Sequence, residues 1–417
     1  MRLLHTSDWH LGHTLHDFGR ELEHSRFLDW LADTLERESI DALLVAGDVF
    51  DSANPPASAE KAWYDFLARV ARRLPLLDVV VVGGNHDSAA RLDVAAGILS
   101  AFGVHVVGGW PIGPGEAPDL DRLLVPLGAR RSPGEPWAWV AAVPYLRMAD
   151  LPSSSGDPVD EVVEGVRARY EEILAQARSR RRPGQALVAT GHCYMAGGEL
   201  SELSERKILG GNLHALPVDI FGPDVSYVAL GHLHRAQAVK GREEVRYSGS
   251  PLPLSVDEAA YPHQVLVCEF EGGELSGVRP VRVPRTVDIL RLPNGGPAGV
   301  ETLMQELREL DVAGARPAAE WPYLDVHVVL QEPQPDLKRQ VEEAIAGRAV
   351  RLVRIGWESP GDGATLAEQQ PGRGLAEIDE ETVFVARYRQ TYDGDVPPDL
   401  LAAFHEVREA AARGELG

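Results

Sequence analysis

Residues 79–87, Val-Val-Val-Val-Gly-Gly-Asn-His-Asp, decide the fold of this chain. Four β-branched residues in succession indicate a strand that is buried on both of its faces. The two glycines that follow end the strand and let the backbone turn sharply. Asn85, His86 and Asp87 come next, and these side chains could serve a metal ion and a proton transfer. Taken alone, the segment is better explained by a Gly-Asn turn with solvated polar residues.

The same pattern, an apolar run that ends in His, Asp or Asn, occurs at four other places in the chain. The runs cover residues 2–6, 41–46, 186–190 and 225–230. Ligands of α/β sheets gather at the carboxyl ends of the strands, and the polar side chains follow those ends. The candidate ligands at the five strand ends are Asp8, His10, Asp48, Asn85, His192, His232 and His234.

These seven side chains form a mixed set of nitrogen and oxygen donors. Such a set suits Mn²⁺, Fe²⁺ or Zn²⁺ better than Mg²⁺ or Ca²⁺, which prefer oxygen ligands. Seven donors exceed the needs of one ion that keeps open positions, so two ions are expected. Two metal ions roughly 4 Å apart form a clamp for in-line displacement at phosphorus. Asp48 is central in the order of the motifs, and we predict that its carboxylate bridges the two ions.

Size and charge narrow the class of protein. The chain has 417 residues, which is long for one core, so two or three domains are expected. No run approaches the roughly 20 apolar residues that span a bilayer, and two cysteines exclude a disulfide framework, so a cytoplasmic location is predicted. The formal charge of -22 argues against a general nucleic-acid coat. A phosphate-bearing substrate must therefore meet local basic patches, metal ions or a partner subunit.

The order of predicted elements indicates three parts. Strands alternate with helices and then follow one another up to residue 275, which predicts a layered α/β core of sheets flanked by helices. The pattern includes a helix at 89–101 and a loop at 109–136. Residues 276–360 have a βαβαβ order, which predicts a smaller α+β domain. Residues 361–417 are predicted to hold a linker, a strand at 382–389 and an amphipathic helix at 397–413.

The motifs together resemble those of the calcineurin-like metallophosphoesterases, in the form found in nuclease subunits of the SbcD and Mre type. The resemblance covers most of residues 1–270, and the later domains resemble that family only in their order. The motifs that carry it are Asp8-x-His10, Gly47-Asp48-x-x-Asp51, Gly84-Asn85-His86-Asp87, Gly191-His192 and Gly231-His232-x-His234.

The resemblance implies a role for each site residue. It implies two Mn²⁺ ions, although other divalent transition metals are possible. His86 is implied to lie beside the scissile phosphate as a catalytic residue, and Asp87 could orient its ring. Relatives of the archaeal kind have a histidine where this chain has Asp51, so we expect Asp51 to support a ligand rather than touch phosphate. The implied ligands of one ion are Asp8, His10, Asp48 and His234, and those of the other are Asp48, Asn85, His192 and His232.

The resemblance also implies an activity and partners. The activity is a 3′–5′ exonuclease on double-stranded DNA ends and an endonuclease on single strands or hairpins, in DNA repair and recombination. The sequence has no P-loop, so ATP dependence would come from an SbcC-type ATPase subunit. A homodimer through the helices at 59–74 and 89–101, within a heterotetramer at the nucleoid, is implied too. The 276–360 domain would cap the site and place DNA, and the 397–413 helix would dock on the ATPase.

Several features keep simpler explanations. The core could serve a phosphomonoesterase or a cyclic-nucleotide phosphodiesterase, and the chain could instead tether DNA ends with vestigial catalysis. The basic run at 178–182 and the pair Arg130-Arg131 could contact DNA phosphates, but a solvated helix end is commoner. Trp9 could line a substrate channel, but a core position is the default. The helices at 59–74, 89–101 and 397–413 could pack on their own domains.

Overall fold

The computed structural model describes residues 1–111, 118–132, 134–152, 158–198, 215–312, 316–332 and 334–358, and ten single residues from Phe384 to Phe404. The chain divides into two compact units, Met1–Thr286 and Val287–Gly417. Each unit has its own buried apolar clusters, as the length of the chain requires.

The first unit is built on two six-stranded sheets. Their strand orders are β14-β13-β1-β4-β5-β6 and β11-β12-β10-β9-β8-β7, and β2 and β3 form a separate hairpin. The strands are β1 (Arg2–Thr6), β2 (Thr14–Leu15), β3 (Phe18–Gly19), β4 (Ala42–Ala46), β5 (Asp78–Val82), β6 (Val104–Val107), β7 (Leu124–Leu127), β8 (Ala138–Ala141), β9 (Ala186–His192), β10 (Tyr227–Gly231), β11 (Gln237–Val239), β12 (Arg242–Tyr247), β13 (Gln264–Glu271) and β14 (Glu274–Arg282).

Helices connect the parallel strands of the first unit. They are α1 (Glu21–Arg37), α2 (Ala57–Arg73), α3 (Ala89–Asp93), α4 (Ala96–Ser100), α5 (Leu120–Leu123) and α6 (Pro158–Arg180), with short 3₁₀ turns at Met148–Asp150, Val218–Ile220 and Val256–Ala260. In α1 the buried residues Phe27, Leu28, Leu31 and Leu35 recur at helical spacing, which gives the helix one apolar face.

Strand β5 is buried on both faces, as its four valines predict. Val80 and Val82 belong to the cluster that includes Val188 of the second sheet, so this cluster fills the space between the sheets. Val79 and Val81 belong to the cluster that includes Phe27 of α1 and residues of α2. Successive side chains of a strand point to opposite faces, so one strand contributes to both clusters. The predicted layered α/β core is therefore confirmed.

Parallel pairing brings the carboxyl ends of the strands together. In the first sheet Thr6 pairs with Val45, and Ala46 pairs with Val82. In the second sheet His192 pairs with Gly231. Within each sheet, the polar segments that follow these parallel strands therefore leave at the same edge.

Some elements differ from the prediction. The helix expected at 89–101 is two short helices, α3 and α4. The loop expected at 109–136 contains α5 and β7, and β7 holds Pro126 in an edge strand, where a missing N–H is tolerated. Strand β14 was not predicted, because it is an edge strand with mostly exposed side chains, and it continues past residue 275.

The second unit contains a three-stranded parallel sheet with the order β15-β16-β17. Its five elements follow the predicted βαβαβ order. They are β15 (Ile289–Leu292), α7 (Val300–Glu309), β16 (Tyr323–Val329), α8 (Leu337–Ile345) and β17 (Arg351–Glu358), with a 3₁₀ turn at Ala318–Glu320. Leu324, Val326 and Val328 alternate along β16 and bury against Leu303 and Val341 of the two helices.

The predicted linker at 359–376 lies outside the described residues. Where a strand was expected at 382–389, the described residues 384, 385, 388 and 389 are helical. The Tyr392 N–H donates to the Tyr388 carbonyl, and the two rings lie 5.0 Å apart. Of the helix predicted at 397–413, the described residues 400, 401 and 404 are helical, whereas residue 397 is not.

The helices of the described residues also bear on membrane insertion. None of them is long and apolar enough to cross a bilayer.

His5 of β1 gives a prediction about acid stability. Its ring is buried, with Nδ1 2.9 Å from the Tyr227 hydroxyl and Nε2 3.1 Å from the Leu230 carbonyl. Burial lowers the pKa of this imidazole to about 3. In acid, His5 of the unfolded chain therefore binds a proton, whereas His5 of the folded chain remains neutral. The stability that comes from neutral His5 is therefore full above about pH 6.5 and is lost as the pH falls towards 3.

We expect the free energy of unfolding to fall by about 1.4 kcal/mol per pH unit from this one group between about pH 6 and pH 4. Urea unfolding in EDTA, which removes the contribution of metals, measures the slope. The His5→Asn variant should be less stable at neutral pH and should have a shallower slope. Identical slopes in the two proteins would show that His5 is protonated in the fold.

Candidate metal centre

The polar segments at the strand ends have an unusual backbone conformation. Among the described residues, six non-glycine positions have positive φ, and four of them are predicted ligands. This conformation is strained for residues with a side chain and persists where the surroundings enforce it. The four are Asp8 (φ 54°), His10 (φ 45°), Asp48 (φ 49°) and His232 (φ 98°).

Backbone hydrogen bonds hold the first two segments together. The Asp8 N–H donates to the Gly47 carbonyl over 3.0 Å, and the His10 N–H donates to the Asp48 carbonyl over 3.0 Å. These bonds align the two strained segments side by side. They therefore place the side chains of Asp8, His10 and Asp48 in one pocket.

Gly84 leaves room for the central carboxylate. A Cβ atom at this position would lie 2.1 Å from Oδ1 of Asp48 and 2.4 Å from the Asp48 backbone nitrogen. Neither atom can move easily, because Asp48 is buried and its Oδ1 accepts a 2.9 Å hydrogen bond from the His86 N–H. The glycine after β5 is thus needed for a close approach to Asp48 and not only for a turn.

The side chains converge into three overlapping groups. Within each group, one ligand atom from every residue lies within 4.8 Å of the others. Oδ2 of Asp48 lies 3.5 Å from Nε2 of His10 and 3.2 Å from Nε2 of His192, so this oxygen stands between the two predicted ion positions. The groups are Asp8, His10 and His234; His10, Asp48 and His86; and Asp8, Asp48 and His192.

Asn85 joins the same pocket from the end of β5. Its Oδ1 lies 2.9 Å from Nε2 of His192 and 3.1 Å from Nδ1 of His232. The rings of His192 and His232 are 5.2 Å apart and meet edge to face. All seven predicted ligands therefore border a single pocket.

The second ring nitrogen of three imidazoles is held by an oxygen outside the pocket. Nδ1 of His10 donates to Oδ1 of Asp51 over 3.1 Å, and Nδ1 of His192 donates to the Ala46 carbonyl over 2.9 Å. Nδ1 of His234 lies 2.9 Å from Oε1 of Glu258. Such contacts fix the tautomer that presents a lone pair at Nε2, which is how metal-binding histidines are oriented.

An orphaned atom shows that the pocket suits a cation. Nε2 of His10 is buried and has no hydrogen-bond partner among the described residues. Its neighbours are the Asp48 carboxylate and the rings of His86 and His234. Buried polar atoms in proteins rarely remain unpaired, so the donor set fits a bound metal ion.

The electrostatics of the protein groups in the pocket agree with this view. Burial alone would lower the pKa of His192, but the charge of Asp48 and its hydrogen bond raise it to about 9. Burial raises the pKa of Asp8, whereas the nearby histidines hold that of Asp48 well below its usual range against the effect of burial. Burial and the charge of His192 lower the pKa of His232 to about 3. At neutral pH His192 is therefore protonated and places a positive charge beside the carboxylate of Asp48.

His86 lies at the edge of the pocket and is half-buried. Its Nδ1 donates to the Asp51 carbonyl over 2.8 Å, and its ring centroid lies 4.8 Å from that of His10. Nε2 is therefore the nitrogen that can exchange a proton. The ring shares one of the three groups with His10 and Asp48, so it lies beside the predicted ligands.

Asp87 does not orient the His86 ring, which corrects the prediction. Its buried carboxylate accepts three backbone N–H groups, from Gly84 (2.9 Å), Val49 (3.1 Å) and Phe50 (2.9 Å). Burial and the charge of Asp48 raise the pKa of Asp87 to about 6. The short side chain turns back to these donors, so it links the segment after β4 to the segment after β5. The Asp51 carbonyl holds the ring instead.

Glu258 contacts the predicted ligand His234, and the sequence prediction did not include it. It is fully buried, with Oε1 on His234 and Oε2 accepting the Leu254 N–H over 2.7 Å. The sequence shows two adjacent acids, Asp257 and Glu258, and nothing in their spacing indicates which one faces His234. An acidic pair soon after the Ser-Gly-Ser-Pro segment at 248–251 was the available signal.

The basic segments are used within the fold. Arg178 and Arg181 pair with Asp224, and Arg180 pairs with Asp121. These pairs favour a structural role for the run at 178–182 over a DNA contact. Arg130 donates to the Leu77 and Phe102 carbonyls, and Arg131 pairs with Asp41.

Trp9 is a core residue, as expected by default. It is fully buried and lies edge to face with Phe27, Trp63 and Phe66. It therefore supports the Asp8 to His10 segment from behind and lines no channel.

Removing the charge of Glu258 should weaken metal binding. In Glu258→Gln the amide oxygen can still accept from Nδ1 of His234, but the negative charge that raises the basicity of that ring is lost. We expect the Mn²⁺ affinity of one site to fall about 10- to 100-fold, with little change in the far-UV spectrum. Calorimetric titration of the metal-free protein measures the affinity. Glu271→Gln, an exposed neutralisation in β13, is the matched control, and equal affinities in the two variants would contradict the role of Glu258.

Known proteins resemble this chain over much or most of its length. The family model for calcineurin-like phosphoesterases matches residues 1–236, and a model described as type 5 capsule protein repressor C-terminal domain matches residues 285–392. The SbcD subunit of the SbcCD nuclease from Rhodobacter capsulatus is 40% identical over 391 residues, which cover 93% of this chain and 94% of that protein. The protein of the same name in Escherichia coli (strain K12) is 33% identical over 393 residues, 93% of this chain and 92% of the relative.

The corresponding SbcD protein of Bacillus subtilis is 38% identical over 279 residues, 66% of this chain and 67% of the relative. The calcineurin-like family model covers more than half of the chain and includes all five strand ends with their candidate ligands. The chain therefore belongs to the calcineurin-like phosphoesterase family, as a metal-dependent phosphodiesterase of the group named after the SbcD subunit of the SbcCD nuclease.

Proposed function

We propose that this chain is a two-metal, Mn²⁺-dependent DNA nuclease. It acts as a 3′–5′ exonuclease on double-stranded ends and as an endonuclease on single strands and hairpins, in DNA end processing and recombination. The observation that carries the proposal is Oδ2 of Asp48, which faces an imidazole nitrogen of His10 on one side and of His192 on the other. A carboxylate in that position is what a shared pair of metal ions needs.

The ligand sets follow from the pocket. Asp8, His10, Asp48 and His234 would hold one ion, and Asp48, Asn85, His192 and His232 would hold the other. When bound, two such ions supply an activated water and offset the charge on the phosphoryl oxygens. Mixed imidazole and carboxylate donors support Mn²⁺ among the divalent metals.

The residues around the ions prepare the proton transfer. The Asp51 carbonyl fixes Nδ1 of His86, so Nε2 is directed away from that contact and can protonate a leaving oxygen. A histidine exchanges protons near neutral pH and is suited to this task. Asp51 also holds His10 through its carboxylate, so one residue orients both a ligand and the proton donor. Asp87 links the segment after β4 to the segment after β5 and contacts neither the phosphate nor the His86 ring.

The proposal includes an ATPase partner. The relatives carry the name of a subunit of the SbcCD nuclease, and an SbcC-type subunit would supply the ATP dependence that this sequence, without a P-loop, cannot supply. The net charge of -22 also makes the chain a weak DNA binder by itself, and a basic partner offsets this. The segment at 397–413 is the proposed docking helix, and the 276–360 domain helps to place DNA. Because the proposed substrate is DNA, we expect the complex at the nucleoid.

Exposed apolar side chains support a homodimer. Val94, Ile98 and Phe102 are 82%, 72% and 54% exposed, and all three lie on or directly after α3 and α4. Tyr64 of α2 is exposed as well. Apolar side chains clustered on a surface commonly mark a protein interface. Two copies joined here, each with its ATPase subunit, give the proposed heterotetramer.

A nuclease assay tests the function. The full chain is incubated with a labelled DNA hairpin, with a 3′-labelled duplex and with a small aryl phosphodiester, with and without Mn²⁺. We expect Mn²⁺-dependent cleavage of both DNAs. Hydrolysis of the aryl diester without cleavage of either DNA, also when the partner ATPase is added, would support a small-molecule phosphodiesterase. DNA-end bridging without any hydrolysis would support a tether.

A further inference from the structure

A sixth strand end reaches the metal pocket, and none of the sequence motifs includes it. Strand β8 pairs in parallel with β9, whose last residue is His192. The segment after β8 therefore leaves the sheet at the same edge as the metal ligands. The Tyr145 N–H donates to the Gly83 carbonyl over 2.8 Å, which ties this segment to the turn before Asn85.

Tyr145 and Arg147 lie against the pocket. The Tyr145 ring is half-buried and meets the His192 ring edge to face at 6.3 Å. The Arg147 guanidinium stands over the Tyr145 ring at 5.9 Å, and its Nη2 donates to the Asp87 carbonyl over 3.3 Å. The cation is thus placed beside the loop that carries Asn85 and His86.

Arg147 combines a position beside the metal pocket with a guanidinium that has no carboxylate partner among the described residues, whereas many arginines of the first unit are paired with one. Arg91, Arg122, Arg131 and Arg178 each face a carboxylate. Within the described residues, Arg147 is exposed, and its guanidinium contacts a carbonyl and an aromatic ring but no carboxylate. Its positive charge is therefore available to a ligand, in a chain with a net charge of -22.

We propose that Arg147, supported by Tyr145, binds a DNA phosphate next to the scissile one. The proposal rests on the nuclease function proposed above and assigns the substrate contact at that site. A guanidinium offers several donors in one plane and suits the oxygens of a phosphodiester. The aromatic face under it restricts its orientation and leaves its charge intact. Such a contact lets the pocket distinguish a polynucleotide from a small phosphodiester, which has no neighbouring phosphate.

The test compares Arg147→Gln and Arg147→Lys with Arg178→Gln. Arg178 is also a surface arginine, but it pairs with Asp224 near the end of helix α6, so its variant changes the net charge without the proposed contact. The substrates are a labelled hairpin and a small aryl phosphodiester, both in Mn²⁺. DNA binding is measured separately by fluorescence anisotropy over a range of salt concentrations.

For Arg147→Gln we expect KM for the hairpin to rise about tenfold. The rise in KM for the hairpin should exceed any rise in KM for the aryl diester by about the same factor. The slope of log affinity against log salt should fall by about one. Arg147→Lys should recover part of the affinity, because it keeps a point charge. Arg178→Gln should behave as wild type.

Two results would overturn the assignment. Equal losses of activity on the hairpin and on the aryl diester, together with a lower metal content, would mean that Arg147 only holds the segment that contains Asp87. A salt slope equal to that of Arg178→Gln would mean that Arg147 does not meet phosphate. Failure of the nuclease function itself is recognised separately, because the wild-type chain would then hydrolyse the aryl diester and leave the hairpin intact.

Discussion

Replacing His86 with alanine should almost abolish DNA cleavage and leave the metal ions bound. The ring is held through Nδ1 by the Asp51 carbonyl and exposes Nε2 at the edge of the pocket, so its loss removes a positioned proton donor. General acid catalysis contributes about 10²- to 10⁴-fold, and we expect kcat on hairpin DNA to fall by that factor. The Mn²⁺ content measured by mass spectrometry should stay within error of wild type.

His86→Gln separates proton transfer from the filling of space. Glutamine can donate a hydrogen bond to a phosphate oxygen but cannot transfer a proton at neutral pH. It should therefore be nearly as slow as His86→Ala on a substrate with a poor leaving group. On an aryl diester, whose leaving group needs little protonation, both variants should lose less activity. Full activity on hairpin DNA in either variant would remove His86 from the mechanism.

Replacing Asp48 with asparagine should remove metal binding as well as activity. Its Oδ2 faces both His10 and His192, so the loss of its charge affects both ion positions at once. We expect the Mn²⁺ content to fall well below two ions per chain and cleavage to fall at least about 10³-fold, because both roles of the ions in catalysis are lost. Titration of the metal-free protein with Mn²⁺, followed by calorimetry, reports the lost sites directly.

The amide oxygen in Asp48→Asn can still accept the His86 N–H, so the fold should survive. Asp65→Asn on the exposed face of α2 is the matched control, because it removes the same charge outside every ligand group. Two full-affinity sites in Asp48→Asn would contradict the bridging role. Loss of only one site would instead assign Asp48 to a single ion.

Much of the centre could be predicted from the sequence because its chemistry is local to strand ends. A residue directly after a buried parallel strand has few places to go, so Asp8, Asp48 and Asn85 were predictable as neighbours. His10 and His234 were predictable for a similar reason, since each stands two residues beyond another ligand on the same segment. The layered core followed from apolar runs such as the one at 79–82.

The rest could not be predicted, because it depends on tertiary pairing. Glu258 meets His234 only through the fold, and its neighbour Asp257 offers the same chemistry in the sequence. Asp87 was assigned to the wrong partner because three backbone N–H groups compete for its carboxylate, and backbone donors are invisible in a motif. Strand β7 was predicted as loop because residues 109–136 are rich in Gly and Pro. A proline such as Pro126 is tolerated in a strand at an edge, and edge positions follow from topology.

The two contacts of Asp51 have different sensitivity to mutation. Its hold on His86 comes from the main-chain carbonyl, which every amino acid has, whereas its hold on His10 comes from the carboxylate. A change of residue type at position 51 therefore spares the orientation of the proton donor and alters only the ring of the metal ligand. Substitution at position 51 therefore offers a way to change the support of His10 and leave the contact that holds His86 unchanged.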